Sequence, residues 1–132
     1  MSDENIEIVR RIYRTWGRGD VPGPAELFHD DVEYVNPAGA VEPGVRYGRA
    51  EFTGAVEKVF EAWEVWQGEP EEVTAVGDRV AVVVRYRARG RGSGLEVAGR
   101  ESALFTFRDG KVVRYEWFHG EADAFEALGT PR

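Results

Sequence analysis

Four residues have types and spacings that suit acid–base chemistry on a small molecule: Glu116, Tyr34, Asn36 and Arg85. Glu116 lies in a strand-forming segment rich in aromatic residues, and a carboxylate in apolar surroundings has a raised pKa and exchanges protons near neutrality. Tyr34 and Asn36 are two residues apart, so on a strand they share a face and can together hold a water or a substrate oxygen. Arg85 is predicted to orient Glu116 or to stabilise developing negative charge.

Each of these residues also has a purely structural interpretation. Glu116 could form an ion pair with Arg114, Arg85 or Arg100, and structural ion pairs also perturb pKa values. Tyr34 could be a core residue that precedes an Asn-Pro strand terminator. Two hypotheses therefore stay open, a small-molecule enzyme and a ligand-binding or dimerisation domain without catalysis.

A β-hairpin is predicted to position Glu116. Two runs of aromatic and β-branched residues, 101–107 and 112–118, flank Asp109-Gly110, which is a strong signal for a two-residue turn. A regular hairpin about this turn has one expected register. It pairs Arg108 with Lys111, Phe107 with Val112, Phe105 with Arg114, Ala103 with Glu116, and Glu101 with Phe118.

In that register, alternate side chains lie on opposite faces of the hairpin. One face places Glu101, Arg114 and Glu116 among phenylalanines, as expected for a cavity lined for chemistry or for polar ligands. The other face is also apolar, which a solvent-facing sheet would not be. We therefore predict a homodimer through Leu104, Thr106, Val113, Tyr115 and Trp117.

The order of the elements predicts an α+β fold: two helices, a strand and a third helix come before four consecutive strands, and a short helix follows. Predicted helices cover 3–18, 22–28, 49–63 and 121–128, predicted strands cover 32–36, 71–76, 79–89 and 95–107, and a Gly- and Pro-rich loop covers 37–48. Consecutive antiparallel strands with helices on one face form a layered α+β architecture. A strongly curved sheet wrapped on the helices would enclose a cone-shaped cavity. We expect a single domain over residues 1–132.

The large apolar residues of the helices and the hairpin are predicted to form the core, and some of them also the wall of the cavity. The predicted substrate-binding residues are Tyr13, Trp16, Phe52, Phe60, Trp63, Ala103, Phe105 and Phe118.

Composition excludes several classes of function. The 132 residues include no cysteine, so disulfides, thiol catalysis and thiolate metal sites are excluded, and two histidines are too few for a His-rich metal site. A net charge of −7 argues against general binding to nucleic acids or anionic membranes. No apolar run reaches membrane-spanning length, and the acidic N-terminal stretch predicts a cytoplasmic protein. No zinc or Rossmann motif is present, so we expect chemistry without a metal or cofactor.

The chain as a whole resembles the SnoaL-like branch of the nuclear transport factor two-like superfamily. The segments that carry the resemblance are residues 8–20, 29–39, 47–52, 77–94, 107–118 and 126–129. The resemblance implies a cone-shaped, mostly antiparallel curved sheet wrapped around three N-terminal helices, and a dimer through the sheet's outer face. It also implies cofactor-free isomerisation, cyclisation, hydration or epoxide hydrolysis on a hydrophobic, oxygenated small molecule.

Within this superfamily, the resemblance favours one member over another. Ketosteroid isomerase has its base, its helix tyrosine and its protonated acid where this chain has Asn36, Ile12 and Ala103. Limonene epoxide hydrolase is the better match, because its water-holding pair, its arginine and its base correspond to the four residues Tyr34, Asn36, Arg85 and Glu116. Its partner acid corresponds to Arg87, so this chain lacks the donor that protonates the epoxide.

Overall fold

The structure is a computed structural model that describes residues 2–40 and 43–129. Within this part of the chain, three α-helices and one 3₁₀ turn accompany a six-stranded sheet. The helices are α1 (Ser2–Gly17), α2 (Gly48–Glu61) and α3 (Asp123–Leu128), and the 3₁₀ turn is Ala25–Leu27. The strands are β1 (Phe28–Asn36), β2 (Gly44–Tyr47), β3 (Trp63–Val76), β4 (Arg79–Gly90), β5 (Glu96–Arg108) and β6 (Lys111–Phe118).

The strand order is β2-β1-β6-β5-β4-β3, and all pairs are antiparallel except β1 with β6. The sheet curves around α1 and α2 without closing. Tyr13 of α1 stacks on Trp66 of the edge strand β3, whereas Phe52 of α2 packs on Phe28 of β1, near the opposite edge. The predicted α+β fold with a curved, mostly antiparallel sheet is therefore confirmed.

Helix α1 forms where the sequence predicts it. Val9, Ile12, Tyr13 and Trp16 recur at helical spacing, and all four are buried against the sheet. Asp3 and Glu4 lie in the first turn, where negative charge is favourable with respect to the helix dipole. The helix thus brings one aromatic stripe into the hollow of the sheet.

Several predicted boundaries were wrong. Strand β3 begins at Trp63 and passes through Gly68 and Pro70, whereas the predicted strand begins only at residue 71. An edge strand tolerates proline, and the register with β4 shifts between Pro70 and Glu72. Strand β1 begins at Phe28, so the short helix predicted over 22–28 is reduced to the 3₁₀ turn. Strand β2 lies inside the predicted loop 37–48, of which residues 41 and 42 lie outside the described residues.

The turn of the β5–β6 hairpin is confirmed. Asp109 and Gly110 have φ angles of 56° and 75°, as a type I′ turn requires, and Arg108 pairs with Lys111. The predicted register beyond the turn is wrong, however. Phe107 pairs with Val112, but Thr106 pairs with Arg114, so that Val113 is an extra residue in a β-bulge.

The bulge exchanges the two faces of β6. Phe105 is now opposite Tyr115 and Ala103 is opposite Trp117, whereas Leu104 is opposite Glu116. Because side chains alternate along each strand, Tyr115 and Trp117 face the helices, and Glu116 faces the outside of the sheet. This arrangement buries the two aromatic rings and leaves the charged group in contact with water.

Helix α3 covers part of the outer face. Phe125 and Leu128 pack on Ala81, Val83 and Leu104, and all of these side chains are buried. The Ser102 hydroxyl donates to the carbonyl of Gly120 at 2.6 Å and accepts the N–H of Ala124 at 3.1 Å. These contacts hold α3 against β4 and β5.

The surface predicted for dimerisation is not one continuous face. Leu104 lies beneath α3, Tyr115 is in the main core, and Trp117 packs against that core from the inner side. A homodimer stays a prediction, but these residues cannot together form its interface in this structure.

No helix within residues 2–40 and 43–129 combines the length and the apolar character that crossing a lipid bilayer requires.

Candidate functional site

A cavity of about 390 Å³ lies between the two long helices and the inner face of the sheet. We call it the cone pocket. Its wall is mostly aromatic, which suits a flat hydrophobic ligand. It is lined by Trp16, Tyr34, Val56, Val59, Phe60, Trp63, Trp66, Tyr86, Val97, Glu101, Tyr115, Trp117 and His119.

Three of the predicted substrate-binding residues line this pocket: Trp16, Phe60 and Trp63. Four others are buried in the core that supports the wall, namely Tyr13, Phe52, Ala103 and Phe105. Phe118 lies on the opposite face of the sheet, where it packs against the cluster beneath α3. The prediction for Phe118 depended on the regular hairpin register, which the bulge at Val113 overturns.

The four predicted catalytic residues are not brought together. Tyr34 lines the cone pocket, whereas Asn36 lines a neighbouring groove. Arg85 is on the outer face of β4, where it forms an ion pair with Glu69 at 2.8 Å. Glu116 is also on the outer face and lies 3.7 Å from Arg114. The structural interpretation of Glu116 and Arg85 as ion-pair residues therefore fits this geometry, and neither contacts the cone pocket.

The acidic residue in the cone pocket is Glu101 of β5. Burial raises the pKa of its carboxyl group from 4.5 to about 7, and no cation in the described part of the chain offsets that effect. The regular hairpin register predicted both Glu101 and Glu116 on the inner face, and Glu116 was the predicted catalytic residue. The signal that could have separated them is the order Val112-Val113-Arg-Tyr-Glu-Trp, in which only a bulge buries the aromatic rings and exposes the charges.

Three buried tyrosines interact electrostatically with the Glu101 carboxyl group. Burial is the main cause that raises the pKa of Tyr13 and Tyr115 well above the usual range and that of Tyr34 to about 12. The negative charge of Glu101 raises all three pKa values further. At neutral pH the three tyrosines are therefore protonated and can act as hydrogen-bond donors.

The Tyr13 hydroxyl is buried close to that of Tyr115, but no partner among the described residues completes a hydrogen bond with good geometry. A buried hydroxyl without a partner is costly, and such groups are often satisfied by a water or a ligand. Tyr13 therefore lies behind the pocket wall with a donor that a bound oxygen could use.

Trp117 connects the cone pocket with Asn36. Its indole N–H donates to Asn36 Oδ1 at 2.7 Å, and the same N–H lies near the Tyr34 hydroxyl. Its ring also packs edge-on against His119, with the ring centroids 4.9 Å apart. Asn36 therefore acts here to hold Trp117 in place at the pocket mouth.

Two glycines make room for the pocket wall. A Cβ atom at position 68 would lie 2.5 Å from the Trp66 ring, and one at position 99 would lie 2.9 Å from the Tyr86 hydroxyl. Larger residues at these two positions would force Trp66 and Tyr86 to move. The strands on that side of the sheet therefore depend on glycine to accommodate both rings.

No group of three or more His, Asp or Glu side chains within residues 2–40 and 43–129 is arranged to hold a metal ion. The site that the described residues do form is a carboxyl group and several phenols in an aromatic pocket. A carboxyl group with a pKa near 7 can both accept and return a proton, and phenols can stabilise a developing oxyanion.

The Glu101→Gln variant is expected to be more stable than the wild type at high pH. Because burial raises the pKa of Glu101 from 4.5 to about 7, the folded state loses stability as the pH rises through this interval. The pKa difference corresponds to a gain of at most about 3 kcal/mol in the free energy of unfolding of the variant above neutral pH. Urea unfolding should give equal free energies for the two proteins near pH 4 and a higher value for the variant near pH 8.

The matched control is Glu116→Gln, which removes a carboxylate from the outer face. It should show no such gain at high pH. If the free energy of unfolding relative to the wild type changed with pH in the same way in Glu116→Gln and in Glu101→Gln, the burial of Glu101 would be contradicted.

Comparison with known proteins agrees with the architecture. Residues 9–115 match the family of SnoaL-like domains. The uncharacterized protein Rv0034 of Mycobacterium tuberculosis is 25% identical over 126 residues, which cover 96% of each chain.

Two solved structures are also similar. TerC, co-crystallised with polyporic acid, superposes with a TM-score of 0.77 at 25% identity, over 96% of this chain and 99% of TerC. An NTF2-like protein of unknown function from Burkholderia pseudomallei superposes with a TM-score of 0.79 at 23% identity, over 96% of this chain and 97% of that protein. The latter likeness confirms the nuclear transport factor two-like fold.

Proposed function

Since the chain belongs to the family of SnoaL-like domains, we propose that it is a cofactor-independent enzyme that transfers protons on a hydrophobic, oxygenated small molecule. The observation that carries the proposal is the position of Glu101. Among the described residues that line the cone pocket it is the one acid, and burial brings its pKa to about 7. Such a pKa is suited to a group that must accept and donate a proton at neutral pH.

The proposed reaction begins with the ionised Glu101 carboxylate. It takes a proton from a carbon atom next to a substrate carbonyl group, and the electrons of the C–H bond move to the carbonyl oxygen. Hydrogen bonds from Tyr34 and Tyr115 stabilise the resulting enolate, since both phenols stay protonated at neutral pH. The neutral carboxyl group of Glu101 then returns the proton.

The destination of that proton decides the product. Return to a different carbon atom isomerises the substrate. Attack of the enolate carbon on a second carbonyl group closes a ring, and the proton then neutralises the new alkoxide. One carboxyl group with phenol hydrogen-bond donors can thus catalyse either isomerisation or cyclisation. Epoxide hydrolysis has less support, because Arg85 and Glu116 lie outside the pocket.

The proposed substrate class follows from the lining. Aromatic rings from α1, α2, β3 and β6 surround the pocket, and such walls favour planar ligands of several rings. The co-crystallisation of TerC with polyporic acid supports an oxygenated organic ligand for this type of pocket.

A second candidate function is ligand binding without catalysis, which the aromatic lining alone favours equally. The two functions differ in what they require of Glu101. A binding protein has no need of a carboxyl group that titrates near neutrality, whereas the proposed enzyme depends on it.

The direct test is the pKa of Glu101, measured by NMR titration of the side-chain carboxyl carbon in a labelled sample. We expect a value of about 7, because the carboxyl group is buried among aromatic rings. Loss of one resonance in Glu101→Gln assigns the signal. A pKa at or below about 4.5 would mean a solvated or paired carboxylate, and the enzyme proposal would then give way to the binding function.

A further inference from the structure

We infer that the ligand of the cone pocket is elongated and carries an anionic group that lies in a second cavity, outside the cone. This inference rests on the proposed function of the cone pocket and adds the shape and charge of the substrate. The second cavity, which we call the side groove, has a volume of about 600 Å³. It is lined by Asn36, Gly39, Ala40, Arg46, Glu51, Gly54, Ala55, Lys58, Val59, Ala62, Trp117 and His119.

The side groove and the cone pocket adjoin each other. Val59, Trp117 and His119 line both cavities, so a ligand that reaches from one cavity to the other would pass these side chains. Val59 is 39% exposed although it is apolar, and it lies at this junction. A ligand that passes from one cavity to the other would cover this apolar side chain, and its removal from water would favour binding.

Small residues on α2 and just after it keep the groove open. Gly54 and Ala55 of α2 and the following Ala62 line it, and a Cβ atom at Gly54 would have no neighbour within 4 Å. Helix α2 therefore carries no large side chain at Gly54 and Ala55. A helix with larger residues at these positions would fill the space that we assign to the ligand.

The charged residues of the groove favour an anion. Arg46 and Lys58 carry positive charge, and Glu51 carries negative charge. Glu51 already accepts the backbone N–H of Tyr47 at 3.3 Å, at the start of α2. Both cations also interact within the chain, so a bound anion would join an existing set of charges.

Arg46 links the groove to the phenols of the cone pocket electrostatically. It is the cross-strand neighbour of Tyr34 in the β1–β2 pair. Its positive charge lowers the pKa of Tyr34, against the larger effect of burial. A ligand whose head contacts Tyr34 would thus be able to place its anionic group beside Arg46.

The ligand class that fits is an aromatic or polycyclic head with a carboxylate on a short arm. The head would occupy the cone pocket beside Glu101, and the carboxylate would lie in the side groove near Arg46 and Lys58. The reacting end therefore stays in apolar surroundings while the charged end stays near water.

The test compares two probes of equal length, 4-(2-naphthyl)butanoic acid and its primary amide, by isothermal titration calorimetry. At low salt we expect the acid to bind about three- to tenfold more tightly than the amide, as a partly exposed ion pair would allow. The Arg46→Gln/Lys58→Gln double variant should remove this difference and leave the affinity for the amide unchanged. High salt should reduce the preference, because exposed charges are screened.

Two further variants make the outcomes distinguishable. Lys111→Gln removes a cation at the hairpin turn that lines neither cavity, and it should keep the full preference for the acid. Glu101→Gln removes the proposed base and a negative charge from the cone pocket, so it should not weaken the preference for the acid, and the inference on the groove is measured independently of proton transfer. Equal affinities for acid and amide in the wild type, or no binding of either probe, would overturn the inference.

Discussion

Glu101→Gln is expected to lower the rate of proton abstraction from a carbon acid by about a hundredfold or more, the usual contribution of a positioned base. A suitable probe is 5-nitrobenzisoxazole, a flat aromatic molecule that fits the lining of the cone pocket. A carboxylate takes the proton from its C3 atom, the N–O bond breaks, and a coloured cyanophenolate is released. Glutamine has nearly the same shape as glutamate but cannot accept the proton, so the loss reports the base itself.

The pH dependence gives a second, independent measure of the same group. Because the base must be ionised, the wild-type rate should rise as the pH increases and level off above the Glu101 pKa of about 7. Glu116→Gln is the matched control, since its carboxylate lies 3.7 Å from Arg114 on the outer face. If Glu116→Gln loses the activity and Glu101→Gln keeps it, the regular hairpin register is correct and this placement of the active site is wrong.

Insertion of one alanine between Val113 and Arg114 is expected to destroy the fold. Val113 is already the extra residue of the bulge, so the alanine would take the place of Arg114 in the pairing with β5 and would shift every later residue of β6 by one position. Arg114 and Glu116 would then face the core, and Tyr115 and Trp117 would face outwards. Burying two charged groups costs several kcal/mol each, which is comparable with the whole free energy of unfolding of a domain, about 5–15 kcal/mol.

Cooperative urea unfolding and near-ultraviolet circular dichroism measure this loss. The control is Val113→Ala, which keeps the number of residues and therefore the bulge. It should lower stability by at most about 1 kcal/mol, as a partly exposed position usually does. An insertion variant that unfolds as cooperatively as the wild type would show that the hairpin tolerates the shift of β6.

The two predictions are connected through one structural choice. The bulge keeps Glu116 out of the aromatic pocket and leaves Glu101 as its acid, and burial then sets the pKa of Glu101. The expected stability gain of Glu101→Gln at high pH has the same origin as its expected loss of activity. A carboxylate that is costly to bury is also one that accepts protons near neutrality.

The architecture could be predicted from the sequence because its signals are local. The spacing of Val9, Ile12, Tyr13 and Trp16 predicts the first helix, and Asp109-Gly110 predicts the turn of the last hairpin. Each signal depends on a few neighbouring residues whose backbone preferences are strong. The family resemblance then indicated how these elements assemble.

Positions that depend on the neighbouring strand were harder to predict. Gly68 and Pro70 usually interrupt a strand, yet β3 continues through them because it lies at the edge of the sheet. Strand β2 is only four residues long and forms because β1 offers it a partner. Neither outcome is visible in the local sequence.

The candidate site depended on the tertiary structure most of all. The sequence by itself determined the curved sheet, the aromatic stripe of α1 and the presence of Glu101 and Glu116 on adjacent strands. Only the packed structure decided between the two acids, because one extra residue in β6 reverses every later side chain. Burying Tyr115 and Trp117 against the helices favours the bulge, and it leaves Glu101 as the acid within the cone pocket.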